Sequence, residues 1–171
     1  MPGLITLNIP LKSYLKKYLT QKYGNTHCVS RRSWLGRYLV DLLDKNYRKT
    51  KADIKKEDYY PISIPSSIVK EVGFDISATK LKHLVEMIHK VFLNDLYSYI
   101  EVSVGSKLKF YNEEYESINK QNTLRAISQF LNFYAITEDE ISADSIYRTF
   151  YRDRKSDKNT EPQKQEAQNT L

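Results

Sequence analysis

The chain is 171 residues long, 40% of them apolar, with five glycines, five prolines and a net charge of +6. That length holds one domain, or two small ones, with a real core, and the low glycine and proline content points to a mostly helical protein. A single cysteine, Cys28, excludes an internal disulfide and suits a reducing compartment. No apolar run approaches the ~20 residues that span a bilayer, and the first residues lack a signal peptide's basic-then-apolar layout. A cytoplasmic protein with no membrane contact is the expectation.

The first element is a short strand, Leu4–Ile9, with Ile5, Leu7 and Ile9 on one face and Thr6 and Asn8 on the other; Pro10 is expected to stop it. Leu11, Tyr14, Leu15, Tyr18 and Leu19 then recur at helical spacing, and Gly24 ends the pattern. After a polar turn, Ser30 and Ser33 are capping candidates for a second helix whose stripe is Trp34, Leu35, Tyr38, Leu39, Leu42 and Leu43.

A polar stretch from Lys45 to Asp58 reads as linker, and the opening pattern then returns. Tyr60–Pro65 repeats the cadence of Thr6–Pro10, with apolar alternation ended by proline. Ile68, Val69 and Val72 form a short helical turn closed by Gly73. Asp75 or Ser77 can cap a long helix with Leu81, Leu84, Val85, Ile88, Val91, Phe92 and Leu96 inward. Two pairings are open to the first strand: an internal pseudo-dimer with residues 60–64, or a symmetric homodimer through residues 4–9. The prolines at both ends of 61–65 predict only a brief ladder.

Ile100–Gly105 alternates like a strand yet continues a helix, and is expected to fray near Val104 and break at Gly105. Phe110–Ile118 reads as a further helix. Asn122 or Thr123 then starts a new one through Leu124, Ile127, Phe130, Leu131 and Tyr134. After an acidic turn, Ser142 caps a last helix with Ile146 and Phe150 inward and Arg148, Tyr151, Arg152, Arg154 and Lys155 outward. Residues 156–171 are nearly free of apolar side chains and are expected to be disordered. The organisation is therefore 1–48, a basic strand-helix-helix unit; 49–58, linker; 59–104, a second such unit; 106–155, a helical unit resembling a helix-turn-helix pair; and 156–171, tail. The fold class is mainly α with a short two-stranded β ribbon.

Charge is unevenly placed. Residues 1–56 hold 13 Lys and Arg against Asp41, Asp44 and Asp53, a net of +10, while 57–120 and 121–171 are net −3 and −1. Positive charge confined to the first strand-helix-helix segment is the footprint of a polyanion binder.

This segment resembles the ribbon-helix-helix DNA-binding proteins. The residues that carry the resemblance are Ile5-Thr6-Leu7-Asn8-Ile9-Pro10-Leu11, then Leu15, Leu19 and Gly24, then Ser30-Arg31-Arg32-Ser33 and the stripe from Trp34 to Leu43. The resemblance implies an antiparallel ribbon in the major groove of double-stranded DNA and a phosphate at the start of the second helix. Thr6 and Asn8, with Leu4, would read bases, and Ser30, Arg31, Arg32 and Ser33 would clamp a phosphate. Lys12, Lys16, Lys17, Lys22 and Arg37 would add phosphate contacts. Independently of the resemblance, the outer face of the last helix with Arg148 and Arg152 reads either as a second recognition element or as the solvated basic end of a helix docked on the core. The chain departs from the family in its longer Gly24–Ser30 turn and in having no Arg or Lys on the strand.

No catalytic set is evident. His27, His83 and His89 stand at no metal-ligand spacing, His27-Cys28 lacks an orienting third group, and no glycine-rich phosphate loop exists. The expectation is a non-enzymatic DNA-binding protein without cofactor or metal, a regulator or architectural factor. Richness in Lys, Asn, Ile and Tyr suits the AT-rich genome of a phage or mobile element. The alternative is a structural or interaction protein of such a particle or element, binding other subunits.

Overall fold

The computed structural model describes residues 3–45, 58–104 and 113–160. Their elements run β1 (Leu4–Leu11), α1 (Ser13–Tyr23), β2 (His27–Cys28), α2 (Trp34–Leu42), β3 (Asp58–Pro65), α3 (Ser66–Val72), α4 (Ala78–Val104), α5 (Glu113–Phe133) and α6 (Ala143–Thr160). The protein is mainly helical with one small mixed sheet of order β1-β3-β2.

Of the two pairings open to the first strand, the structure contains the intramolecular one. β1 and β3 run antiparallel through eight pairs, from Leu4 opposite Pro65 to Leu11 opposite Asp58. Period-two alternation then sets the faces: Ile9, Leu11, Tyr60, Ile62 and Ile64 are buried on one side. The ladder is longer than the flanking prolines suggested, and β1 runs through Pro10 to Leu11. Pro10 is tolerated because β1 is an edge strand, where a missing N–H removes no second ladder. Pro61 lies in the central strand, but β2 reaches only Ile62 and Ser63, so Pro61 falls outside its span.

The expected two-stranded ribbon is corrected to three strands. The turn after Gly24 supplies β2, which pairs parallel with β3, His27 opposite Ile62 and Cys28 opposite Ser63. The Val29 amide extends this pairing by donating to the Ser63 carbonyl at 2.8 Å. A long turn was needed because these residues form an edge of the sheet.

Both first helices stop at a glycine in the left-handed half of backbone space, Gly24 at φ +86° and Gly73 at φ +96°. Each donates its amide to the carbonyl four residues back, Thr20 and Val69. With ψ near 180°, this conformation is essentially reserved for glycine. Both second helices begin at a serine: Ser33 Oγ accepts the Gly36 amide at 3.1 Å, and Ser77 Oγ accepts the Lys80 amide at 3.2 Å.

The chain divides into two compact units, Met1–Asp95 with Tyr134–Ile136, and Leu96–Phe133 with Thr137–Leu171. The first strand-helix-helix segment and the second as far as Asp95 thus belong to one unit, because β1 and β3 are neighbours, while the end of α4 from Leu96 belongs to the other. Its core sets the sheet's buried face with Tyr14, Leu15, Tyr18, Leu19, Leu35, Leu39, Leu84, Ile88 and Phe92. Tyr18 packs edge-on to Phe92 at 5.4 Å between centroids, and its hydroxyl donates to Asp95 Oδ2 at 2.6 Å. Lys22 joins the same carboxylate.

In the second unit, Leu96, Ile100, Ile127, Leu131, Ile146 and Phe150 are buried. Tyr97 packs on Phe150 at 5.1 Å and donates to Asp153 at 3.1 Å. Two sequence expectations change here. α5 is one helix from Glu113, with no new start at Asn122 or Thr123; residues 120–122 are polar because they face solvent, and Thr123 is fully buried. α6 continues to Thr160, past the Ser156 at which the disordered tail was expected to begin. Ser142 does cap it, accepting the Ser145 amide at 3.1 Å. α4 runs as helix to Val104; the expected break at Gly105, most of the linker and residues 161–171 lie outside the described residues. Among the described residues, no helix is long and apolar enough to cross a membrane.

Candidate nucleic-acid interface

The face of the sheet opposite the core is built from the residues that alternation turns outward. On β1 these are Leu4, Thr6, Asn8 and Pro10; on β3 they are Tyr59, Pro61, Ser63 and Pro65. Thr6 stands opposite Ser63 and Asn8 opposite Pro61. Thr6 and Asn8 are exposed, and Leu4 is 59% exposed. Cys28, in register with Ser63, is exposed at the same end. The face is therefore a strip of small hydroxyl, amide and apolar groups without formal charge.

The turn into α2 lies beside this strip, because Val29 is tied to Ser63 and Ser30 follows it. Ser33 organises the turn. Its hydroxyl donates to the Ser30 carbonyl at 3.1 Å while accepting the Gly36 amide. Ser30 Oγ accepts the Arg32 amide at 3.2 Å. Gly36 lets the turn lie against the helix: a Cβ there would stand 2.2 Å from the Ser30 carbonyl oxygen. His27 Nε2 lies 3.3 Å from Ser33 Oγ, and its ring packs on Tyr23 at 4.8 Å. Burial holds the His27 imidazole below its ordinary titration range, favouring the neutral form. Trp34 donates to the Tyr23 hydroxyl at 2.7 Å, so the turn rests on an aromatic platform. From the sheet below, the Tyr60 hydroxyl donates to the Gly24 carbonyl at 2.9 Å. Burial pushes that hydroxyl up to about 12, which keeps it a donor.

The expected cations divide by their surroundings. Lys12 is exposed at the start of α1, and Arg32 and Arg37 are exposed around the α2 turn. Lys16 pairs with Asp58 at 3.1 Å. Lys17 is half-buried. Lys22 is committed to Asp95 and to the Tyr18 hydroxyl, the latter at 2.9 Å. Arg31 is held by Glu71 of α3. Asp58, Asp95 and Glu71 are carboxylates that a phosphate must outcompete.

Arg148 and Arg152 belong to the second unit, whereas the sheet and the α2 turn belong to the first. Arg148 pairs with Asp144 at 2.7 Å and Arg152 with Asp153 at 3.7 Å. The Glu138–Glu140 run is used locally: Glu138 accepts the Ala143 amide at 3.1 Å and Glu140 the Thr137 amide at 2.9 Å. Among the described residues no group of three or more potential ligands could hold a metal ion.

Sequence reasoning missed Tyr59, Pro61, Ser63 and Cys28 as members of the outer strip. The β3 residues follow from the parity of Tyr60, Ile62 and Ile64 once the partner strand is known. Cys28 follows only from β2, which has no periodic signal. No family model matches the chain, and neither a curated protein nor a solved structure matches it.

Proposed function

We propose that this chain is a non-enzymatic double-stranded-DNA-binding protein of ribbon-helix-helix type, with both halves of the ribbon in one polypeptide. The observation that carries the reading is the β1–β3 pairing, which turns Thr6, Asn8 and Ser63 to solvent beside a serine-capped, arginine-bearing helix start. Supporting it, both halves run strand, glycine-ended helix, serine-capped helix. On this reading the strip lies in the major groove. Thr6, Asn8 and Ser63 hydrogen-bond base edges, while Leu4, Pro61 and Pro65 offer apolar contact to thymine methyls. Ser30, Arg31, Arg32 and Ser33 at the α2 start take a phosphate, and Lys12 and Arg37 add charge.

The test is fluorescence anisotropy of a labelled random duplex at two salt concentrations. Binding should weaken by about 0.9 power of salt for each phosphate engaged. Arg31→Ala with Arg32→Ala should weaken binding and flatten that slope; unchanged affinity and slope would remove the clamp. A second reading, a subunit-binding structural protein, is favoured by one observation: Val102 is 83% and Phe133 65% exposed in the second unit. A large stable assembly without nucleic acid would support it instead.

A further inference from the structure

The Arg31–Glu71 ion pair joins residues 40 apart in sequence, from the turn before α2 and from α3. The contact exists because the β1-β3-β2 sheet brings the start of α2 and the helix following β3 to one side. Both side chains are more than half exposed, 55% and 58%. Glu71 also faces Lys45, and Arg31 also faces Asp41. The hydrogen bond to Arg31 holds the Glu71 carboxyl below its usual range, so the pair is ionised at neutral pH. A guanidinium presents one planar fork that suits either a carboxylate or a phosphate. Glu71 thus holds the group that the DNA-binding reading assigns to the DNA backbone.

We propose that Glu71 is an internal competitor for the phosphate site: its carboxylate occupies Arg31 in the free protein and is displaced when duplex DNA docks on the Ser30–Ser33 turn. The inference rests on the DNA-binding reading above. An exposed pair is weak and opens readily, so Glu71 tunes affinity without blocking the site. Displacement also leaves an unpaired carboxylate near the DNA backbone, which sets a graded ceiling on non-specific binding. Arg32, the neighbouring arginine, then makes the contact that needs no displacement of Glu71.

The experiment is anisotropy of a labelled random duplex at low salt with wild type, E71Q, R31A and R31A/E71Q. E86Q is the control for net charge, since Glu86 is exposed on α4 beside Lys82. E71Q should bind ~2- to 5-fold tighter than wild type and tighter than E86Q, with an unchanged salt slope, because Arg31 meets the same phosphate in both complexes. In the R31A background the same substitution should change affinity less than ~2-fold. Equal gains in E71Q and E86Q, or a full gain in R31A/E71Q, overturn the competitor while leaving DNA binding intact. Absence of binding by every variant overturns both the competitor and the DNA-binding reading.

Discussion

Gly36→Ala tests whether the start of α2 is built as described. In an ordinary helix interior the change stabilises by about 1 kcal/mol, because alanine loses less backbone entropy. Here the added Cβ would meet the Ser30 carbonyl oxygen at 2.2 Å, the Ser30 nitrogen at 2.7 Å and Ser33 Oγ at 2.8 Å. Two of those atoms are backbone, so relief requires the turn itself to move by roughly 1 Å in a packed region. Overpacking of this kind costs about 1–3 kcal/mol, and loss of the Ser33 cap adds about 1 kcal/mol. Offset by the helix-propensity gain, the net loss is about 1–3 kcal/mol. With a urea m-value of about 2 kcal/mol per M, the midpoint should fall by ~0.5–1.5 M. Trp34 is the chain's single tryptophan and begins α2, so its fluorescence follows this unit. A midpoint equal to or above wild type would refute the close packing of the turn on the helix.

Gly24→Ala and Gly73→Ala separate backbone strain from crowding. Nothing lies within 4 Å of a Cβ at Gly24, so only strain applies, about 1–3 kcal/mol, whereas a Cβ at Gly73 would also stand 2.4 Å from the Asp44 carbonyl. Urea midpoints should therefore fall further for Gly73→Ala; equal losses would disprove the close approach. Alkylation of Cys28, the single cysteine, with a bulky maleimide should weaken DNA binding ~10-fold or more, and bound DNA should slow the labelling. Labelled protein that binds normally would place the DNA elsewhere than on the outer strip. Burial holds both His27 and His89 below their ordinary value, and Lys12 contributes at His89. Below about pH 6.5 the unfolded chain takes up protons that the folded chain refuses, so stability is constant above that pH and falls as pH drops through it. The urea midpoint should decrease from about pH 7.5 to about pH 5.5, with a smaller decrease in H89Q; an unchanged slope in H89Q would refute the assignment.

Strand faces were legible because a period of two leaves little freedom. Ile9 in β1, and Tyr60, Ile62 and Ile64 in β3, are buried as alternation requires, whereas Leu7 is only part-buried, Ile5 is 36% exposed, and Leu11, expected in the first helix stripe, is the last buried residue of β1. The helix stripes were legible from their 3.6-residue period, and Ser33, Ser77 and Ser142 sit at the helix starts where capping chemistry puts them. What escaped is what depends on partners far along the chain. β2 is two residues long and exists only because β3 offers it an open edge. Polar residues 120–122 resemble a break but are the solvent face of a continuous helix. The positions of Thr6 and Asn8 on the outer face and of Ser33 at the helix start were legible from local alternation and capping. The division of the basic residues was not: Lys16 meets Asp58 and Lys22 meets Asp95 through pairings 42 and 73 residues apart, which no local pattern encodes.

Placing both strands in one chain changes how the proposed interface responds to dilution and what it can read. A ribbon made by two identical chains forms in proportion to the square of protein concentration, so its DNA occupancy collapses below the dimer dissociation constant. Here β1 finds β3 within the same polypeptide, at an effective concentration set by the intervening chain and not by the solution. The strip is also unsymmetrical, since Thr6 faces Ser63 and Asn8 faces Pro61, so its two strands offer different groups to the two halves of a site. A symmetric dimer demands a palindrome; this strip favours a site without one. Titration of duplex DNA should therefore follow a first-order isotherm down to nanomolar protein, and selection from random sequence should return a non-palindromic preference. A second-order isotherm, or enrichment of inverted repeats, would mean that two chains bind together and that the internal ribbon is not the unit of recognition.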